Sequence, residues 1–221
     1  MKTYPSINYY NKGIFGSEAY LFDKLDGSNL RFEYSKKSGW YKFGTKNCLI
    51  DEKHEMFGEG ITLFLSKYGN ELTSLFKNEK TFRNTDKFMV FCEFLGDNSF
   101  AGWHDPNDKK DVILFDIWHH KKGFVAPSDF VDIVSKNVHT VPFLGRYEYT
   151  DELILKIKDN QLDDYDLKEG VVCKGWINKK GQDNVWMTKI KTKNWLHQIK
   201  NKLGDKGLLS EVNGDKSLII I

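Results

Sequence analysis

Apolar and polar residues alternate with a period of two over 30–34, where Arg31 and Glu33 separate Leu30, Phe32 and Tyr34. That period predicts a half-buried strand. The preceding segment 19–25 is mostly apolar, and Asp26-Gly27-Ser28-Asn29 lies between the two. Those four residues are turn chemistry, so the pattern predicts a hairpin. A short strand over 39–46 ends in a glycine turn. The period then changes: Ile61, Phe64, Leu65, Tyr68, Leu72, Leu75 and Phe76 fall on one face of a helix. A charged loop over 78–86 leads to two compact apolar runs, Lys87–Gly96 and 112–118, which predict buried strands. The Asp-, Asn- and Gly-containing stretch 97–111 between them predicts an exposed loop. Pro127 marks the start of a short helix over 129–136. A second helix over 151–161 turns Leu153, Ile154, Ile157 and Leu162 inward. The runs 169–176 and 184–191 predict a last strand pair joined by a Lys-Lys-Gly-Gln loop, and a basic helix over 193–203 follows. Residues 1–17 form a polar and aromatic arm. With no repeat, linker or low-complexity tract, the pattern predicts one α+β domain over 1–221 built of antiparallel sheets.

Composition narrows this picture. Of the 221 residues, 40% are hydrophobic and 14% aromatic, enough for a sizeable core and too many for a disordered chain. The formal charge of +2 provides no global field for nucleic acid, so any basic groove must be local. Cys48, Cys92 and Cys173 are odd in number and form no C-x-x-C pair, which predicts buried, reduced thiols in a cytoplasmic protein rather than disulfides or a zinc site. No signal-peptide pattern is present, and no apolar run is long enough for a bilayer. The apolar end 218–221 is only four residues long and predicts a docked terminus.

The candidate chemistry starts at Lys24, which a strand delivers to the mouth of a turn in K-x-D-G-x-N. An amine must be neutral to attack, and from a reference pKa of about 10.4 that costs about 4.6 kcal/mol at pH 7. Burial or neighbouring cations remove much of this cost. Taken alone, these residues also fit a surface lysine beside an ordinary turn. Further along, Glu93 and Asp116 are carboxylates set in apolar strands, where a charge needs a partner. Lys189 and Lys191 flank Ile190 and so point to one face of their strand, as two solvent-facing lysines also would.

Taken in order, KLDGSN, FCEFLG, LFDIW, EGVVCK and WMTKIK resemble the collinear motifs of the covalent nucleotidyltransferases, the ATP-dependent polynucleotide ligases and RNA capping enzymes. The resemblance runs from Lys24 to Lys191. The asparagine at the sixth place of KLDGSN, the spacing and the small size resemble most the phage-type RNA ligases that seal nicks in duplex RNA. This implies a nucleotidyltransferase (ATP-grasp-like ligase adenylation) domain: two antiparallel β-sheets with flanking helices. It also implies ATP as the nucleotide, AMP held covalently on Lys24, and Mg²⁺ or Mn²⁺ as the metal. On the same resemblance Lys189 and Lys191 contact the α-phosphate, stabilise charge on phosphorus and favour the neutral amine of Lys24. Glu93 meets the ribose and Phe115 the adenine; Asp26, Gly27, Asn29 and Lys42 with Gly44 surround the nucleotide or the 5′-phosphate. Glu169, with Asp116, is matched to the metal. Lys179, Lys180, Lys193, Lys200 and Lys202 suit either a nucleic-acid track or a solvated basic face. His104, His119 and His120 read as turn histidines, and Arg31 as a strand-face residue.

The expected function is ATP-dependent joining of RNA 3′-OH and 5′-phosphate ends, at nicked or broken RNA, by a monomer with no membrane association. Only 30 residues follow Lys191, too few for the OB-fold of DNA ligases and capping enzymes. A minimal ATP-dependent DNA ligase and a catalytically inactive RNA-binding module of the same fold are the competing readings.

Overall fold

The computed structural model describes residues 1–9, 11–179 and 182–212, apart from the side chains at 178, 179, 182 and 183. The expected loop at Lys180 and the apolar end 218–221 lie outside the described residues. The chain divides into two compact units: one of Met1–Pro5, Asp26–Val141 and Asn178–Val185, the other of Ser6–Leu25, Pro142–Ile177 and the described part of Trp186–Ile221. Both are antiparallel sheets with helices, the α+β architecture expected from the pattern. Among the described residues no helix is long and apolar enough to cross a membrane.

The first unit is a six-stranded sheet of β2 (Ser28–Ser35), β3 (Gly39–Thr45), β4 (Leu49–Ile50), β5 (Lys87–Gly96), β6 (Lys110–His119) and β7 (Gly123–Phe124), in the order β4-β3-β2-β5-β6-β7. The even-numbered side of β2 and β5 packs on α1 (Gly58–Asn78). Phe32 stacks on Phe64 at 3.7 Å and Phe76 on Phe88 at 4.0 Å, which explains the stripe of apolar residues along α1. Tyr68 anchors the helix by donating to the Val112 carbonyl at 3.1 Å. The expected charged loop at 78–86 instead contains a short helix, α2 (Lys80–Arg83), because Phe82 is fully buried against Phe76 and Phe88. The helix begun by Pro127 runs as α3 (Pro127–Asp129), a π-helical turn (Phe130–Val134) and α4 (Ser135–Asn137).

The second unit holds β1 (Glu18–Asp23), β8 (Phe143–Glu148), β9 (Gly170–Lys179) and β10 (Gln182–Lys191) in the order β10-β9-β1-β8. One sheet face buries Ala19, Leu21, Cys173, Trp186 and Ile190 against Leu153, Ile154 and Ile157 of α5 (Asp151–Lys158), with Leu162 beside them. Thr150 caps α5 by accepting from the Leu153 N–H at 3.1 Å. Thr192 does the same for Trp195 at the start of α6 (Lys193–Glu211), which runs beyond the expected 203 with a break at Gly204.

Several expectations fail for identifiable reasons. β1 and β2 do not form a hairpin. Both edges of β1 are taken, by β8 and β9, while β2 pairs with β3 and β5, so residues 24–27 connect the two strands without closing a hairpin. Cys48 is exposed, whereas Cys92 and Cys173 are buried, and all three are free thiols. His119 is no turn residue: it ends β6, buried between the rings of Phe82 and Phe88. His104 is buried within the 97–109 loop, which it ties down through Ser99 at 3.0 Å and Ser28 at 2.8 Å.

Candidate active site

In the second unit β1 ends at Asp23, and the Lys24 N–H donates to the Gly170 carbonyl at 2.9 Å. This bond sets Lys24 beside the start of β9. Lys24 Nζ lies 2.7 Å from Glu169 Oε1, and Lys191 Nζ lies 2.8 Å from the same oxygen. Glu169 and Lys191 are nearly sealed from solvent, with 4% and 5% of their side chains exposed, while Lys24 is 23% exposed. One buried carboxylate thus holds two ammonium groups, one of them accessible.

The Glu-Gly pair makes this possible. Gly170 has φ +149°, and a Cβ there would collide with the Ile190 carbonyl oxygen and approach Lys191 Cα to 2.8 Å. Only glycine lets the two strand ends come this close. Thr192 N–H then donates to the Glu169 carbonyl at 3.0 Å and fixes the register. Burial pushes the Lys191 ammonium down to about 8; Glu169 pulls the other way, and the neighbouring charges of Lys24 and Lys189 lower it further. Lys189 shares the face of Lys191, because Thr188 and Ile190 point into the core, and its ammonium stands 4.7 Å over the Tyr9 ring.

Three members of this unit went unnoticed in the sequence. Asp23, next to the nucleophile candidate, is raised above the usual carboxylate range by burial and by the charge of Glu169, and its Oδ1 has no hydrogen-bond donor. Lys174 is 4% exposed, opposite Tyr20 in register and 4.9 Å over the Phe22 ring. Alternation from Val172 would have placed it on the face of Lys191. Glu211 pairs with Lys191 from the far end of α6.

Among the described residues no group of three or more His, Cys, Asp or Glu side chains could hold a metal by itself. Glu169 and the undonated oxygen of Asp23 are hard ligands that fit Mg²⁺ or Mn²⁺ only where phosphate oxygens and water complete the shell, the usual habit of Mg²⁺.

In the first unit, the sheet face opposite α1 carries the other candidates. Asn29 lies across from Glu93 in register, with its Oδ1 lacking a hydrogen-bond donor. Gly27 packs on β5, where a Cβ would meet Glu93 Cγ at 3.0 Å and Leu95 Cδ2 at 2.8 Å. Asp26 accepts from the backbone N–H groups of Ala101 and Gly102 at 2.8 and 3.3 Å, pinning the 97–109 loop to the turn. Phe115 is the extra residue of a β-bulge: Phe91 pairs with Asp116 and Cys92 with Leu114. A bulge lets consecutive residues share a face. Tyr4 contacts both, its ring 5.0 Å from Phe115 and its hydroxyl donating to Asp116 Oδ2 at 2.9 Å. Burial and the charges of Asp116 and Glu93 raise Tyr4, so it remains a donor. Asp116, 2% exposed, also accepts from the Ile117 N–H at 2.9 Å. Arg31 on this face donates to the Lys2 carbonyl at 3.1 Å and to Thr3 Oγ1 at 2.7 Å. Lys42 is exposed, and its ammonium is 5.9 Å over the Tyr41 ring.

Of the basic track, Lys193 pairs with Asp159 at 2.8 Å and Lys200 and Lys202 are exposed on α6, while the Lys179 side chain and Lys180 lie outside the described residues.

The family model described as RNA ligase matches residues 17–196. Among solved structures, the fold is similar to that of Naegleria gruberi RNA ligase. A mutant of that enzyme with ATP and manganese is 20% identical, with a TM-score of 0.61 over 86% of this chain and 54% of that one. An apo mutant is 19% identical, with a TM-score of 0.61 over 90% and 60%. A mutant with AMP and manganese is 19% identical, with a TM-score of 0.59 over 86% and 54%. The chain therefore spans little more than half the length of these relatives. No curated protein matches the sequence.

Proposed function

Because the chain belongs to the RNA ligase family, we propose that it is an ATP-dependent RNA ligase that works through AMP carried on Lys24. The observation that carries this reading is the shared Glu169 oxygen, 2.7 Å from Lys24 Nζ and 2.8 Å from Lys191 Nζ. It joins an accessible amine, a carboxylate able to take its proton and a second ammonium able to meet a phosphate.

In the first step the Lys24 ammonium gives one proton to Glu169, the neutral amine attacks the α-phosphorus of ATP, and the second proton leaves the nitrogen to water as the phosphoramidate forms. The N–P bond forms, and the bond to the bridging oxygen breaks, leaving pyrophosphate. Lys191 and Lys189 stabilise the charge on the equatorial oxygens. Phe115 stacks on the adenine and Glu93 holds the ribose, while Asp26 and Gly27 shape the turn that follows the nucleophile and Asn29 on β2, beside Glu93, meets the nucleotide. In the second step an RNA 5′-phosphate oxygen displaces Lys24 from phosphorus, and the amine recovers a proton. In the third, a 3′-OH attacks that 5′-phosphate and AMP leaves. Glu169 and Asp23 would hold Mg²⁺ or Mn²⁺ together with phosphate oxygens, and such an ion neutralises phosphate charge. Each chain carries its own Lys24, Glu169 and Lys191, so a monomer suffices.

The test uses nicked duplexes with a labelled 5′-phosphate, ATP and Mg²⁺ or Mn²⁺, with the 3′-OH strand as RNA or DNA and Lys24→Ala as control. Sealing with the RNA 3′-OH that fails with DNA and in the variant supports the proposal. Equal sealing of DNA moves the chain to minimal DNA ligases. Absence of both adenylylated and sealed strands on every nicked or single-stranded substrate leaves an inactive RNA-binding module.

A further inference from the structure

Helix α6 does not run straight. At Gly204 the backbone turns to φ 68°, ψ −171°, a region open essentially to glycine alone. Helical geometry then resumes, and the second limb returns toward the helix start. Its Leu208 and the following Val212 are 2% and 0% exposed, so this limb is docked. Its end delivers Glu211, whose carboxylate contacts Lys191 Nζ and accepts from Trp195 Nε1 at 2.8 Å. The Glu211 carbonyl accepts from the Tyr9 hydroxyl at 2.6 Å.

Lys191 already has Glu169 at 2.8 Å, and a buried ammonium needs one carboxylate for compensation. Glu211 adds a second, on the nitrogen assigned above to a phosphate oxygen. A carboxylate oxygen and a phosphate oxygen are acceptors of the same sign and similar geometry, so they compete for the same N–H. Glu211 also cancels one positive charge of the Lys24, Lys189 and Lys191 group, weakening its field for any polyanion.

We propose that the limb 205–212 is a built-in latch: Glu211 occupies the anion position on Lys191, and the limb must undock at Gly204 before a polyphosphate can bind there. The identity of that polyphosphate as ATP rests on the function proposed above; the latch itself rests on the contacts of Glu211 and the break at Gly204.

Two full-length variants test it by different routes. Glu211→Gln keeps the shape of the side chain and removes its charge. Gly204→Ala leaves Glu211 untouched. A Cβ at 204 meets nothing within 4 Å, so the alanine acts only by penalising the bent backbone and favouring the undocked limb. Isothermal titration with inorganic pyrophosphate, without metal, should show both variants binding at least about five-fold more tightly than the parent. Hydrogen exchange over 205–212 should rise when pyrophosphate is added to the parent chain, and should already be high in Gly204→Ala. Pyrophosphate affinity equal to or weaker than the parent's in both variants overturns the latch, as does unchanged protection of 205–212 in the pyrophosphate complex. Lys24 adenylylation is followed in parallel. Tighter pyrophosphate binding in variants that never form the adenylate would sink the ligase reading and leave the latch standing; adenylate formation with no change in pyrophosphate affinity does the reverse.

Discussion

Replacing Gly170 with alanine tests whether the close approach of β9 and β10 is what makes the Lys24–Glu169–Lys191 cluster competent. The residue sits at φ +149°, where any L side chain is strained by about 1–3 kcal/mol. A Cβ would also overlap the Ile190 carbonyl and reach within 2.8 Å of Lys191 Cα, well inside the 3.4 Å at which ordinary contact begins. Both neighbours are backbone, so the strand ends themselves must part. The Glu169 oxygen holds Lys24 and Lys191 at 2.7 and 2.8 Å. A displacement of about one ångström in the groups that position a reaction costs about 100-fold. The expected outcome is a Gly170→Ala protein with a near-native near-ultraviolet dichroism spectrum, a lowered urea midpoint and a rate of Lys24 adenylylation down about 100-fold. The rate is measured as transfer of label from α-labelled ATP at saturating concentration. A folded variant that adenylylates within about ten-fold of the parent, a barrier change of only about 1.4 kcal/mol, would refute the reasoning.

Three further outcomes follow from the same geometry. With its ammonium lowered to about 8, Lys191 loses its charge as pH rises through that value. The kcat/KM for ATP in adenylylation should therefore fall above about pH 8, and Lys191→Arg should move that falling limb to higher pH; an unmoved limb assigns it to another group. His119 is lowered to about 4 by burial and by the charge of Lys122, against an ordinary value near 6.5. The unfolded chain binds this proton first, so the contribution is intact above pH 6.5 and lost as pH falls toward 4, by about 3 kcal/mol; urea midpoints of His119→Phe should drop less between pH 7 and pH 4 than those of the parent. Tyr4→Phe keeps the ring beside Phe115 but removes one of the donors to the buried Asp116. It should cost about 1–3 kcal/mol in urea unfolding, and a smaller change would mean that Asp116 finds another donor.

What the sequence made legible, and what it hid, divides along physical lines. Periodicity found α1, β5, β6 and the strand pair 169–191, because each buries one face and the burial is written into spacing. It also placed Lys189 and Lys191 on one face. The hairpin failed because Asp-Gly-Ser-Asn carries the same turn signal whether the flanking strands pair or part; the decision lies with β8 and β9, which claim both edges of β1 from far along the chain. Phe115 and Asp116 should point oppositely by strand alternation, and the bulge that turns both toward Tyr4 leaves no mark in spacing. His119 was recoverable, since it follows Ile117 by two and shares its buried face. Glu211 was not. Its place on Lys191 depends on a single glycine breaking an otherwise regular helix and on the buried Leu208 and Val212 holding the returning limb. In the sequence Gly204 and Gly207 read alike, as weak helix formers in a basic helix. The motif residues were thus visible because chemistry fixes their type and order, while the group that neutralises one of them is set by a backbone angle.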